Sequence, residues 1–173
     1  MSDFDAMGAS ARMAFAGNSG CDPTLVDWAI AHEDGFLIEA LARNRSLPDG
    51  PRERAFFHLN PGGTPYDIPQ IERHWLHATV LPTLTAATRD LLARAGFHGR
   101  TQSLEPAELL ALSARGPLGQ VLAARHRSAD RVVWESLLDG HPRARVVLAQ
   151  QRDLPLDLVE RLGADPHRMV RAA

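Results

Sequence analysis

Segments of this chain resemble one another at intervals of roughly 25 residues. The stretch ALARNRSLP at 40–48 matches VLAQQRDLP at 147–155 in its order of apolar, small, polar and proline positions. A doublet of an apolar residue and alanine recurs at Phe15-Ala16, Leu41-Ala42, Leu92-Ala93, Leu122-Ala123 and Leu148-Ala149. Such periodicity is typical of proteins that stack one small structural unit many times.

Each unit reads as a pair of short helices. The segment 157–164 places Leu158, Val159 and Leu162 at helical spacing. Pro166 then ends this helix, because a proline forces the residue before it out of the helical region. The segment 141–151 predicts the other helix of the pair. Helices of about ten residues are unstable alone, so the sequence predicts an all-α fold in which successive helix pairs stack on one another.

The recurring pattern R-x-x-[VA]-L-A-x-[NQ]-x-x-L-P, followed by L-[VL]-E-x-L-A-x-D-P, resembles the leucine-rich-repeat-variant family and other HEAT-like helical repeats. The similarity covers about 12–48 and 105–173 and is poor over 49–104. The resemblance implies an α-helical solenoid with a right-handed superhelix, here one domain over residues 1–173. Some members of that family carry a cysteine-rich iron–sulfur domain, but this chain has one cysteine, so the resemblance implies no cofactor.

The pattern also predicts where the helices and their buried residues lie. The expected helices are near 4–16, 23–33, 36–44, 50–59, 69–80, 83–95, 105–115, 117–126, 128–139, 142–151 and 155–164, with a short one from 166. The expected buried leucines are Leu41, Leu122, Leu148, Leu158 and Leu162. Three histidines fall at predicted helix ends, where we expect them to meet the C-terminal dipole or to face water. They are His126, His141 and His167.

The charge pattern excludes some classes of protein. All nineteen basic residues are arginine, and 21 acidic residues give a net charge of −2 and a pI near 6.4. A dedicated nucleic-acid binder is usually clearly basic, although residues 111–173 carry ten arginines against seven acids. The absence of an apolar run of about 18 residues argues against a transmembrane helix. We expect a cytoplasmic protein without a membrane partner.

No set of residues predicts catalysis, and neither a Ser-His-Asp nor a paired-carboxylate arrangement can be assigned. Cys21 occupies the apolar slot of a turn between units, which predicts a buried structural thiol. His74 and His77 share a helix face, but zinc needs further ligands. The sequence therefore predicts a non-enzymatic protein that binds no metal and no cofactor.

The segment LNPGGTPYDIP at 59–69 has no counterpart in the repeat. It is either a binding loop or a bend between two stacks. The predicted function is binding of a protein or peptide on the concave surface, with a nucleic-acid-binding or DNA-repair-like solenoid as the alternative. The candidate partner-binding residues are Tyr66, His74, Trp75, His77, Arg125 and Arg145. Arginines of the C-terminal half that line one face would favour nucleic acid, and arginines paired with acids between units would favour a protein.

Overall fold

A computed structural model describes residues 3–59, 80–96 and 102–173. Within these ranges the chain forms eleven α-helices and no β-strand. The helices are α1 (Ala9–Ala16), α2 (Thr24–Ala31), α3 (Gly35–Arg43), α4 (Asp49–Phe57), α5 (Ala86–Arg94), α6 (Pro106–Ser113), α7 (Pro117–Arg125), α8 (Arg131–Leu137), α9 (Pro142–Ala149), α10 (Leu156–Gly163) and α11 (Arg168–Arg171). A 3-10 turn, Leu81–Thr83, precedes α5. None of these helices has the length and apolarity needed to cross a membrane.

The all-helical fold predicted from the sequence is confirmed for the described residues. Three helix starts differ from the prediction by three residues or more, and one of them is α8, which is expected from 128 and begins at Arg131, after its N-cap Asp130. The first helix begins at Ala9 rather than near residue 4, after Gly8. The helix expected from residue 83 begins at Ala86, because the Thr85 hydroxyl accepts the N–H of Thr88 and so caps the helix there. The helix expected at 69–80 lies almost entirely outside the described residues.

Most contacts between helices join elements that are one or two positions apart in the chain. The contacts between alternate helices join α1 with α3, α2 with α4, α6 with α8, α7 with α9, and α9 with α11. In the C-terminal half, α6, α8 and α10 begin at residues 106, 131 and 156, and α7, α9 and α11 begin at residues 117, 142 and 168. Alternate helices of this half therefore begin 25 or 26 residues apart.

Hydrogen bonds between the helix ends show that alternate helices run in the same direction. The side-chain amide of Asn44, just after α3, donates a hydrogen bond to the carbonyl of Ala16 at the end of α1, with an Nδ2–O distance of 2.7 Å. The Gln120 side chain, in the first half of α7, accepts the N–H of His141 just before α9, over 2.6 Å. The ends of α1 and α3 thus lie together, and so do the starts of α7 and α9.

The core includes the leucines that the repeat pattern singles out. All five leucines predicted to be buried are buried, and Leu122, the most exposed of them, has only 4% of its surface accessible. Helix α7 is covered on nearly every side, because residues 118, 119 and 121–124 are all buried. A helix that is apolar all round lies at the centre of a fold. Helix α7 accordingly contacts α4, α6, α8 and α9.

An arginine at the fourth position of four helices ties each helix to the turn before it. Each of these arginines donates a hydrogen bond to the main-chain carbonyl of the residue five positions earlier. The pairs are Arg12 with Met7, Arg52 with Leu47, Arg145 with Gly140, and Arg171 with Pro166. A carbonyl in the turn before a helix has no partner inside that helix, so the guanidinium supplies one. These four arginines therefore hold the scaffold together.

Two adjacent side chains of α4 bind residues 83–88, the segment that leads into α5 and forms its first turn. Arg52 donates to the carbonyl of Thr83. Glu53 accepts hydrogen bonds from the hydroxyls of Thr85 and Thr88, over 2.6 and 2.7 Å. Burial raises the pKa of Glu53, but these hydrogen bonds and the nearby Arg115 outweigh it and hold the pKa below its ordinary value. The start of α5 is thereby fixed to α4.

Two glycines allow α7 to lie close to α4 and α6. Gly116 has a φ of +143°, and a Cβ added there would lie 2.8 Å from the carbonyl oxygen of Phe57. A Cβ added at Gly119 would lie 2.1 Å from the carbonyl oxygen of Leu112. Both distances are shorter than a carbon atom permits beside an oxygen. Only glycine fits at these two positions without a shift of the helices.

Candidate binding surface

Two turns share a sequence, Arg-x-Arg-Ser, and the same hydrogen-bonding geometry. They are residues 43–46, which follow α3, and residues 125–128, which follow α7. The second residue of each, Asn44 or His126, is buried. Its side chain accepts the N–H of the serine two positions later, over 2.8 Å from Ser46 and 3.2 Å from Ser128. Each turn is thus anchored through a side chain that points into the protein.

His126 joins the second turn to the segment that precedes α6. Its Nε2 lies 2.9 Å from the carbonyl oxygen of Gln102, and its Nδ1 accepts the Ser128 N–H. Both contacts are satisfied by the neutral tautomer with its proton on Nε2. The expectation that His126 faces a helix dipole or water is wrong, because the ring is only 2% exposed and closes a contact between units.

The two turns provide a test of this anchoring role. Replacing His126 with alanine should lower the free energy of unfolding by about 2 kcal/mol, because it removes the two hydrogen bonds that this buried ring makes, each worth about 1 kcal/mol. His126→Asn should cost less than half as much, since Asn44 makes the equivalent contacts in the matched turn. Urea denaturation of the two variants measures the difference. Equal losses would show that the ring matters by its volume alone.

Arg125 and Arg127 project into solvent on either side of the buried His126. In the matched turn, Arg43 pairs with Glu39 of its own helix over 2.7 Å. The residue equivalent to Glu39 in α7 is the buried Val121, so Arg125 has no such partner. Among the described residues, no carboxylate lies within ion-pair distance of Arg125 or Arg127.

Arg152 lies on the same edge of the protein as this pair. Helices α7 and α9 lie side by side and run in the same direction, so their C-terminal ends meet on one side. Packed helices are about 8–10 Å apart. Arg152, in the turn after α9, is exposed and has no ion-pair partner among the described residues. Three free guanidinium groups therefore occupy neighbouring turns.

Two apolar side chains that lie within five residues of these arginines in the sequence are exposed. Val132, in the first turn of α8, is 57% exposed, and Leu156, the first residue of α10, is 73% exposed. The starts of α8 and α10 are joined by an ion pair between Arg131 and Asp157, over 2.6 Å. Because α8 follows the Arg125–Ser128 turn and α10 follows the Arg152 turn, all of these residues share one edge. We call the set Arg125, Arg127, Val132, Arg152 and Leu156 the turn surface.

The structure describes two of the six candidate residues from the sequence. Arg125 belongs to the turn surface. The Arg145 guanidinium forms an ion pair with Asp165, over 2.6 Å, in which both side chains are largely buried. We therefore assign Arg145 a role in packing and do not include it in the turn surface. The other four candidates, Tyr66, His74, Trp75 and His77, lie outside the described residues, as do residues 60–69 of the unmatched segment.

In the described ranges, no three histidine, cysteine or acidic side chains lie close enough together to hold a metal ion. Cys21 is buried, as predicted, and burial, with a smaller effect of Asp22, raises the pKa of its thiol. A raised pKa leaves little of the nucleophilic thiolate at neutral pH.

His141 also differs from its predicted role at a helix C-terminus. It caps the N-terminus of α9, where its Nδ1 accepts the N–H of Arg143 over 3.3 Å. Burial, together with the charges of Arg143 and Arg145, lowers the pKa of His141. The neutral ring is the form that capping requires, because only it has an acceptor nitrogen. His167 also precedes a helix, α11, but its side chain makes no capping hydrogen bond there and is exposed, so the expectation that it faces water is confirmed.

The sequence carries its own signal for the turn surface. The segments RNRS and RHRS are nearly identical and lie in the same place relative to their helices. Leu156 and Val132 stand at the first and second positions of their helices, where the repeat calls for no apolar residue. Comparison of the chain with known protein families, with curated protein sequences and with solved structures gives no match.

Proposed function

We propose that this chain is a cytoplasmic, non-enzymatic solenoid of stacked helix pairs that binds another protein through the turn surface. The regular spacing of the helix starts, the contacts between alternate helices and their common direction support the solenoid. These are the relations expected when each unit contacts only its neighbours. The sequence resemblance to leucine-rich-repeat-variant and HEAT-like proteins supports the same arrangement, including a right-handed superhelix.

The observation that carries the binding function is the exposure of Leu156 and Val132 on neighbouring helices. Covering a side chain of this kind contributes roughly 1.5–3 kcal/mol. Single exposed apolar residues are ordinary on protein surfaces. Here two of them adjoin three arginines that have no ion-pair partner in the described structure. Apolar side chains beside free arginines are typical of protein interfaces, in which arginine is enriched.

The arginines of the C-terminal half divide between the two alternatives, because Arg125, Arg127 and Arg152 lie unpaired on one edge of the described structure while two others pair with acids between units. Arg131 pairs with Asp157 and Arg145 with Asp165, so both join successive units as the protein alternative expects. The edge that carries the turn surface also carries carboxylates, among them Asp130 and Asp157. Nucleic-acid interfaces are much more positively charged than this.

An affinity capture with a matched control tests the proposal. Wild-type protein, Leu156→Asp and Phe36→Asp are immobilised and exposed to extract of the native cell, and bound proteins are identified by mass spectrometry. Phe36 is the control because it is 81% exposed on α3, away from the turn surface. We expect a partner that binds wild type and Phe36→Asp but not Leu156→Asp, and whose purified form repeats this pattern in calorimetry.

Both substitutions replace exposed side chains, so thermal stability should change by no more than about 0.5 kcal/mol. Equal capture by all three proteins would contradict a role for the turn surface. Loss with Phe36→Asp alone would move the binding site to α3.

A further inference from the structure

We infer that the segment recognised by the turn surface is acidic and amphipathic, with carboxylates that meet Arg125, Arg127 and Arg152 and apolar side chains that cover Val132 and Leu156. This inference rests on the proposed function and specifies the chemistry of the partner. It follows from the charges that the edge leaves unpaired, from the rigidity of the turn that presents them, and from the apolar residues beside them.

The unpaired charge on this edge is positive. Asp130 is committed to capping α8, where it accepts the N–H of Val133 over 3.1 Å. Asp157 is committed to Arg131. Asp153 is the one exposed acid of the turn after α9 that makes no such contact in the described structure. Three free arginines thus face one free carboxylate, and a partner with carboxylates of its own would complete the pairing.

The turn after α7 presents two of the arginines in a fixed arrangement. His126 lies between them in sequence and holds the backbone through Gln102 and Ser128. Because only one residue separates them, the Cα atoms of Arg125 and Arg127 are at most about 7 Å apart. A fixed backbone lowers the entropy lost when side chains are immobilised on binding. His126 acts here as a positioning residue and does not touch the partner.

The chemistry of the groups favours carboxylates on a protein over the phosphates of a nucleic acid. A guanidinium matches a carboxylate with two parallel hydrogen bonds. A phosphate backbone would satisfy the arginines equally well, but it would leave Leu156 and Val132 uncovered. An acidic segment with apolar residues every three or four positions covers both kinds of group at once.

Model peptides test the inference directly. The probe is a fluorescein-labelled peptide of about 16 residues, about four helical turns, made of glutamate with leucine at every third or fourth position. Matched probes replace each glutamate with glutamine or with lysine, and a DNA duplex of about 20 base pairs covers the phosphate alternative. Binding is measured by fluorescence anisotropy at about 50 mM salt, where surface charges are weakly screened.

We expect the glutamate peptide to bind about tenfold or more tightly than the glutamine peptide, and Arg127→Glu to weaken it by a similar factor. The matched control is Arg45→Glu, because Arg45 holds the same position in the Arg43–Ser46 turn, is exposed, and has no ion pair in the described structure. It should change binding less than twofold. The His126→Ala variant should bind the glutamate peptide less tightly than wild type, and the His126→Asn variant should bind it about as tightly as wild type.

Several results would overturn the inference. One is no binding of the glutamate peptide, and another is an equal loss with Arg45→Glu, which would indicate nonspecific attraction. Tighter binding of DNA, lost in Arg127→Glu, would favour the nucleic-acid alternative. If the glutamine peptide binds as tightly as the glutamate peptide and both are lost in Leu156→Asp, the acidic partner is wrong while the proposed function stands.

Discussion

Replacing Gly119 with alanine should destabilise the protein by about 3 kcal/mol, although alanine is the better helix former by about 1 kcal/mol. The added Cβ would lie 2.1 Å from a main-chain oxygen of Leu112, which belongs to a neighbouring helix and cannot turn aside. Helix α7 would have to move away from α6 and disturb the core on its other sides. Overpacking of this kind typically costs 1–3 kcal/mol and occasionally more. A contact of 2.1 Å with backbone places Gly119 above that range, at about 4 kcal/mol, which the helix propensity of alanine reduces to about 3 kcal/mol.

Gly163 provides the control for this prediction. It is the last residue of α10, and a Cβ added there would meet nothing within 4 Å. Gly163→Ala should therefore be neutral or stabilise by up to about 1 kcal/mol. Chemical denaturation of the two variants should show changes of opposite sign. Similar small effects in both would show that α6 and α7 are less closely packed than described.

Replacing Arg145 with methionine should also cost about 3 kcal/mol. The substitution removes the ion pair with Asp165 and the hydrogen bond to the Gly140 carbonyl, and it leaves a carboxylate that is only 7% exposed without its partner. Breaking a buried ion pair on one side costs 3–5 kcal/mol, and the lower value applies because this pair lies near the end of the stack. The double variant Arg145→Met/Asp165→Asn should recover part of the loss.

The effect of Arg145→Met should shrink in acid. The hydrogen bond from Arg145 is the main cause that lowers the pKa of Asp165. A carboxylate with a lowered pKa contributes its full stability above its unfolded pKa of about 4 and loses it as the pH falls through the folded value. Wild type should therefore lose this contribution below about pH 4, and the variant, in which Asp165 keeps only the hydrogen bond from the His167 N–H, has less to lose. Denaturation curves at pH 7 and pH 3 should show a smaller difference at pH 3.

The fold could be predicted from the sequence to the level of individual helices, because each helix is short and marked by its own residues. Proline opens α6, α7 and α9, and aspartate or threonine side chains cap α3, α5 and α8. The apolar residues at helical spacing predicted the buried leucines. These signals are local, and a sequence displays local signals directly.

The candidate site was less predictable because it depends on contacts between distant residues. Arg145 and Arg125 look alike in the sequence, yet Arg145 has Asp165 beside it and Arg125 has no acid. That difference is set by the packing of α9 against the turn after α10, twenty residues away. His126 looked like a surface residue because Arg125 and Arg127 flank it. The carbonyl of Gln102, to which the His126 ring is hydrogen-bonded, lies beside no sequence motif that would have indicated this contact.

The position of α7 has a consequence for the order in which the chain folds. Most helix contacts join near neighbours, which favours rapid folding. Among the helix pairs that the structure describes, the contact of α4 with α7 joins helices far apart in the sequence, since the chain runs from residue 58 to 116 between them. During synthesis, α1 to α4 are therefore complete long before α7 exists. Until α7 has been synthesised, the face of α4 that contacts it in the finished protein lacks this partner.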